Sequence, residues 1–254
     1  MYHFILAALG IILPLLTGIA NANVEKTIFL APAETKVPSG EPDIDDLGVE
    51  RLSPENPVVR TRLNASFPTT SSPEGSESWF FLENLTPGQR YEVRVCWLAT
   101  QPTEFTLTTH ELSATIEDAA LLSSLSVFSS ARLAALDSGL QTNALKRRAS
   151  AHGKESSDDP APTTDSVLFL RVRAVADYFT TDEALMRNVE PVAVDLILDP
   201  FLWNVFPRSL VPTAGWIVVV AVIAIFVARW VAAELGRVID DARRAREIEE
   251  KKGR

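Results

Sequence analysis

Apolar residues are spread unevenly along the chain. Two long apolar runs, at residues 4–19 and 210–228, bracket a polar middle. Within that middle, several short stretches alternate apolar and polar side chains with period two, the spacing of a strand with one buried face. The clearest covers residues 91–97, where Tyr91, Val93, Val95 and Trp97 point one way and Glu92, Arg94 and Cys96 the other. Residues 26–30, 58–63 and 78–83 read similarly, the third containing Trp79, Phe80, Phe81 and Leu82. Residues 103–109 place Phe105 and Leu107 inward, and 167–176 set Leu168, Leu170, Val172 and Ala174 against Arg171 and Arg173. Val192, Val194, Leu196 and Leu198 close the set at 192–198. About seven strands is the number of a small β-sandwich, so the middle predicts a mainly β domain over residues 23–200.

An insertion at residues 111–165 interrupts the strands. Residues 116–136 carry Leu121, Leu122, Leu125, Phe128, Leu133 and Leu136 among good helix formers without Gly or Pro, which predicts an amphipathic helix. Residues 143–164 are rich in Ser, Asp and Pro and include the basic run Lys146-Arg147-Arg148. They hold too little apolar surface to offset the entropy of ordering, so this loop is expected to be disordered.

The first apolar run ends in Ala20-Asn21-Ala22, the small-x-small pattern of a signal peptide over residues 1–22, cleaved after Ala22. The second run has no charge over 210–228, and as a helix it covers about 28 Å, close to the hydrocarbon thickness of a bilayer. Trp216 and Trp230 bracket it, as interfacial aromatics do, and Pro212 sits where a first helical turn tolerates it. After the span come eight cations (Arg229, Arg237, Arg243, Arg244, Arg246, Lys251, Lys252 and Arg254); before it Arg208 stands alone. The positive-inside bias puts this tail, 229–254, in the cytosol, as a charged helix with Asp240–Arg244 and Glu247–Lys251 at i, i+4. Between domain and span, residues 201–209 form an aromatic stalk whose Phe201, Leu202, Trp203 and Phe206 suit a lipid interface.

Signal peptide, polar middle, apolar anchor and a terminal Lys251-Lys252-Gly253-Arg254 together resemble a type I membrane protein with a dilysine retrieval signal. The resemblance implies the endoplasmic-reticulum membrane, N-terminus lumenal and C-terminus cytosolic, with the coatomer coat reading Lys251 and Lys252.

The net charge of −9 divides into +2 for the tail, eight cations against six acids, and −11 for everything before it, which holds 16 basic and 27 acidic residues. So acidic a lumenal part argues against nucleic acid as a partner. Cys96 is the only cysteine, so no disulfide can form within the chain and the domain must rest on its apolar core. Asn64-Ala65-Ser66 and Asn84-Leu85-Thr86 are N-glycosylation acceptors on the lumenal side, expected to mark surface.

The stretch Leu85-Thr-Pro87-Gly88-Gln-Arg-Tyr91-Glu-Val-Arg-Val95 resembles the E–F corner of fibronectin type III and immunoglobulin-like domains. The resemblance implies that Pro87 and Gly88 turn the chain and that the Tyr91 hydroxyl bonds back to the corner's backbone.

No metal-ligand spacing, nucleophile elbow or phosphate-binding glycine loop is present, and beyond the signal only His110 and His152 remain as histidines. The expectation is a noncatalytic protein without a cofactor: a single-pass accessory subunit or adaptor of a reticulum membrane complex, docked on multipass partners. Machineries for membrane-protein insertion, glycan or lipid-anchor assembly, and quality control all fit. The alternatives are a cargo receptor cycling between reticulum and Golgi, and a cell-surface adhesion domain.

Overall fold

A computed structural model describes residues 23–37, 44–70, 72–137 and 163–252. The expected signal peptide with Ala20 and Ala22, and most of the expected disordered loop, lie outside the described residues. The chain divides into two compact units, up to Val205 and from Phe206 onward.

The first unit contains β1 (Val24–Leu30), β2 (Thr35–Val37), a 3-10 turn (Ile44–Leu47), β3 (Glu50–Leu52), β4 (Val58–Leu63), β5 (Ser76–Leu82), β6 (Arg90–Trp97) and β7 (Thr103–Glu111). Helices α1 (Leu112–Glu117) and α2 (Ala119–Asp137) follow, then β8 (Thr163–Asp165), β9 (Leu168–Ala176), α3 (Glu183–Arg187) and β10 (Val192–Leu202). Each of the seven expected strands coincides with an observed one, with Glu83 and Val167 just outside. The additional strands β2, β3 and β8 have three residues each, too few to show a period. β8 also takes in Thr163 and Thr164, the end of the stretch expected to be disordered, because pairing with β2 orders their backbone.

Strands β1, β6, β10 and β4 pair in that order, all antiparallel. A second sheet runs β3, β5, β9, β7, with β3 parallel to β5. One core draws on both sheets: Val59, Tyr91, Val93 and Leu196 from the first meet Phe80, Leu82, Leu170 and Val172 from the second. Burying side chains of this size stabilises by about 1.5–3 kcal/mol each. The other face of the second sheet is also covered, since Trp79, Phe81 and Phe169 form another core with Ile44, Leu112 and Leu125. Residues 79–82 are therefore all apolar for a physical reason: a strand buried on both faces has no solvent side to alternate with.

The expected single helix is two. The chain breaks at Asp118, whose Oδ1 accepts from the N–H groups of Ala120 (2.8 Å) and Leu121 (3.3 Å) and so caps α2. The apolar stripe also differs from the expectation. Leu122 and Leu133 are exposed, while Leu121, Ser124, Leu125, Phe128, Ser129 and Arg132 turn inward at i, i+3, i+4 spacing. Serines occupy this face because it bonds as well as packs: Ser124 Oγ accepts from Trp79 Nε1 at 3.0 Å.

The second unit holds a two-residue strand β11 (Phe206–Pro207), a 3-10 turn (Arg208–Leu210) and α4 (Val211–Lys252). At 1.5 Å per residue, the 42 residues of α4 extend about 63 Å. The helical segment Arg208–Ile248 is long and apolar enough to cross a membrane; its most apolar window has a mean hydropathy of 2.6 and is wholly unburied. The expected pairs Asp240–Arg244 and Glu247–Lys251 do not form among the described residues, whereas Arg237 meets Glu234 at 3.0 Å. Exposed pairs of long side chains gain too little in water to fix one geometry.

Candidate functional site

Three places carry the candidate residues: the β5–β6 corner, the turn that ends β10, and the charged outer surfaces of the two sheets.

At the corner, Gln89 N–H donates to Thr86 C=O at 3.0 Å, closing a four-residue turn with Pro87 and Gly88 at its centre. Gly88 has φ +73°, the value a type II turn requires at that position. The Tyr91 hydroxyl accepts from Thr86 N–H at 3.0 Å and faces Gln89 Oε1 at 3.1 Å, while its buried ring stacks on Phe29 at 5.9 Å. A second tie joins the corner to the residue that follows β1, with Gly88 N–H donating to Ala31 C=O at 3.0 Å.

The corner also holds the end of β10. Asn204 Oδ1 accepts from Arg90 N–H at 2.8 Å, Asn204 Nδ2 donates to Gly88 C=O at 3.0 Å, and Gln89 Nε2 donates to Phe201 C=O at 3.2 Å. Val205 N–H closes the turn on Leu202 C=O at 2.9 Å. Both central residues are left-handed, Trp203 at φ +49° and Asn204 at φ +58°. Asn accepts that geometry, but for a tryptophan it costs about 1–2 kcal/mol.

The stalk residues therefore divide. Phe201 and Leu202 belong to β10, and Phe201 is only 5% exposed, beneath the Arg90 guanidinium at 5.9 Å, contrary to the expectation of an exposed stalk. Strand alternation sets it on the outer face of the first sheet with Asp195 and Asp199, where the cation over its ring covers it. Trp203 and Val205 are 88% and 70% exposed. Phe206 opens the second unit. Sequence reasoning missed Asn204 and Gln89, the residues that hold this turn; the available signal was an Asn, a residue that tolerates left-handed backbone, flanked by apolar residues.

On the outer face of the first sheet, Glu92 points the way alternation assigns it, together with Arg94, yet it is buried there. It is 2% exposed, 2.9 Å from Lys26 Nζ and 3.5 Å from Arg94 Nε, with Arg94 reaching Asp199 at 3.7 Å. Next along this face Arg60 grips Asp195 through two bonds of 2.7 and 2.9 Å, which hold the Asp195 carboxyl below its usual range. Cys96 stands opposite Asp195 in register, and burial pushes its thiol up against the opposing pull of Arg94. A thiol held protonated is a poor nucleophile.

On the outer face of the second sheet, Arg173 and Arg171 reach Glu77 at 3.2 and 3.8 Å, and the Arg171 guanidinium lies 5.7 Å from the Trp79 ring. His110 packs beside Trp79 at 5.8 Å with Nε2 3.1 Å from Thr108 Oγ1. Burial, then Arg171, hold its pKa below the ordinary value, against Asp118 and Glu77. Ser124, His110 and Glu77 do not compose a nucleophile–base–acid relay. The Ser124 hydroxyl donates to Glu77 while His110 turns to Thr108, so the imidazole does not face the serine.

The acceptor residues Asn64 and Asn84 are both exposed, while Ala65 and Leu85 beside them are buried. Asn64 follows β4; its Ser66 is bound through the backbone to Ala174 and Ala176. Asn84 has φ +54°, and its N–H donates to Asp165 Oδ2 at 2.9 Å. Lys251 is exposed near the end of α4, which runs through Lys252. Among the described residues no three His, Cys, Asp or Glu side chains are grouped to hold a metal ion. No protein-family model, curated protein or solved structure matches this chain.

Proposed function

We propose that this protein is a noncatalytic, single-pass accessory subunit or adaptor of an endoplasmic-reticulum membrane complex. Its first unit is a lumenal β-sandwich of the fibronectin or immunoglobulin kind, carrying sugars at Asn64 and Asn84. Helix α4 crosses the bilayer and delivers Lys251 and Lys252 to coatomer in the cytosol. Multipass membrane proteins are its partners.

The observation that carries this reading is the unburied apolar stretch of α4. In water so large an apolar surface is strongly unfavourable, and lipid or a partner's helices relieve it. The polar groups on the first unit support a binding role, being engaged in ion pairs and packing at the second sheet and in the Lys26–Glu92–Arg94 cluster at the first. Such pairs hold their side chains in place as a preformed surface for a partner.

Extraction of the tagged full chain in a mild detergent, followed by mass spectrometry, tests the proposal. A subunit brings down a small set of multipass membrane proteins in fixed proportion. A varied set of soluble secretory clients would replace this reading with that of a cargo receptor.

A further inference from the structure

We infer that the turn at residues 202–205 is an interfacial anchor, holding Trp203 and Val205 in the headgroup layer of the bilayer and so fixing the stance of the first unit on the lipid surface. This rests on the reading of α4 as a membrane span.

Four observations converge. Trp203 is the wrong residue for its backbone: a left-handed first position in a tight turn suits Gly, Asn or Asp, so its presence is explained by its side chain. That side chain is not folded back, since Trp203 and Val205 are among the most exposed apolar residues of the first unit. The turn is held rigidly outward, because Asn204 bonds Arg90 N–H and Gly88 C=O while Gln89 bonds Phe201 C=O. Finally, only five residues separate Val205 from Val211, the start of α4, and fully extended they reach about 20 Å.

That tether keeps Trp203 close to the membrane surface once α4 spans. Residues 201–207 carry no charge, which favours a lipid surface over an ion-paired protein contact. An indole with an apolar body and one N–H donor is suited to the headgroup layer, where one end is dry and the other wet. Phe201, although in the same sequence run, takes no part, because it is buried under Arg90. Asn204 is the positioning residue; Trp203 and Val205 enter the lipid.

Tryptophan fluorescence of the purified full chain in phosphatidylcholine vesicles provides the test. In a Trp216→Phe/Trp230→Phe chain, Trp203 is read as the difference from the same chain also carrying Trp203→Phe. Some of the phosphatidylcholine bears a spin label placed shallow on its acyl chain. We expect this label to reduce Trp203 emission by about twofold or more, while aqueous acrylamide has little effect. Asn204→Gly tolerates the left-handed backbone and deletes both side-chain bonds. It should cut lipid quenching and open Trp203 to acrylamide, with the near-ultraviolet signal of buried Trp79 unchanged as the check on folding. Quenching of Trp203 by acrylamide and not by the labelled lipid would overturn the inference, as would protection from both quenchers, which means burial against protein. An unchanged Asn204→Gly chain would overturn the positioning role. The chain carrying only Trp203→Phe separates the two readings. Lipid-quenched Trp216 and Trp230 beside a water-accessible Trp203 remove the anchor alone, whereas water-accessible Trp216 and Trp230 remove the span with it.

Discussion

Tyr91 joins an apolar ring to a polar tip at a point where the chain needs both. Its ring is buried against Phe29, and its hydroxyl supplies the partner that Thr86 N–H would otherwise lack. Tyr91→Phe keeps the packing and removes that partner, so the chain should lose about 1 kcal/mol of stability, read as a lower thermal midpoint in detergent. His110 carries a different residue-scale prediction. Its folded pKa lies below the ordinary 6.5 because burial and Arg171 favour the neutral ring. As pH falls through 6.5 the unfolded chain takes up the proton before the folded one does. Stability therefore rises with pH across the window between the folded and unfolded values, and acidification through it destabilises. His110→Gln should lose this contribution. Melting midpoints from about pH 8 to pH 5 for both chains should show the wild-type advantage shrinking with acid, and a constant difference would refute the assignment.

Helix α2 shows how a polar-looking face can still be the packed one. Leu125, 4% exposed, sits in the core with Trp79, Phe81 and Phe169, whereas Leu122 is 44% exposed. Leu125→Ala should cost about 2–4 kcal/mol through the cavity it leaves, and Leu122→Ala less than about 0.5 kcal/mol. Thermal unfolding of the two variants measures the contrast, which reverses if the other helix face is the buried one. The contrast also shows what the sequence makes legible at this scale. Six of the seven longer strands are readable because period two over five or more residues has few competing explanations, and β5 because its short, aromatic-rich apolar run suits a strand buried on both faces. The short strands β2, β3 and β8 are not, since pairing across the chain, and not local pattern, makes them strands. The inward face of α2 is hidden because Ser124, Ser129 and Arg132 count as polar. Glu92 is hidden for the same reason: its burial depends on Lys26 and Arg94, one of which lies 66 residues away. Of the candidate site, the β5–β6 corner is legible because its turn chemistry is local. The clamp on Trp203 joins residues 114 and 116 apart and has no local signature.

At the scale of the whole molecule, α4 sets the physics. If α4 spans as proposed, about 30 Å of it lies in the hydrocarbon core, so roughly half of its length projects beyond, and eight of the chain's cations follow the span in sequence. Under the proposed topology the first unit and the basic tail experience different solvents, separated by a membrane that neither crosses. Protease added to sealed microsomes should then remove an epitope fused to the tail and spare the first unit. Digestion of N-linked sugars should shift the spared fragment, with Asn64→Gln and Asn84→Gln each removing one step of that shift. Lys251→Ser/Lys252→Ser should leave this pattern intact while converting the high-mannose chains to processed forms, because it deletes an address and not an anchor. Retained high-mannose sugars would mean that assembly with partners holds the protein in place. Loss of the first unit to protease in sealed vesicles would reverse the orientation and, with it, the lumenal assignment of every residue before the span.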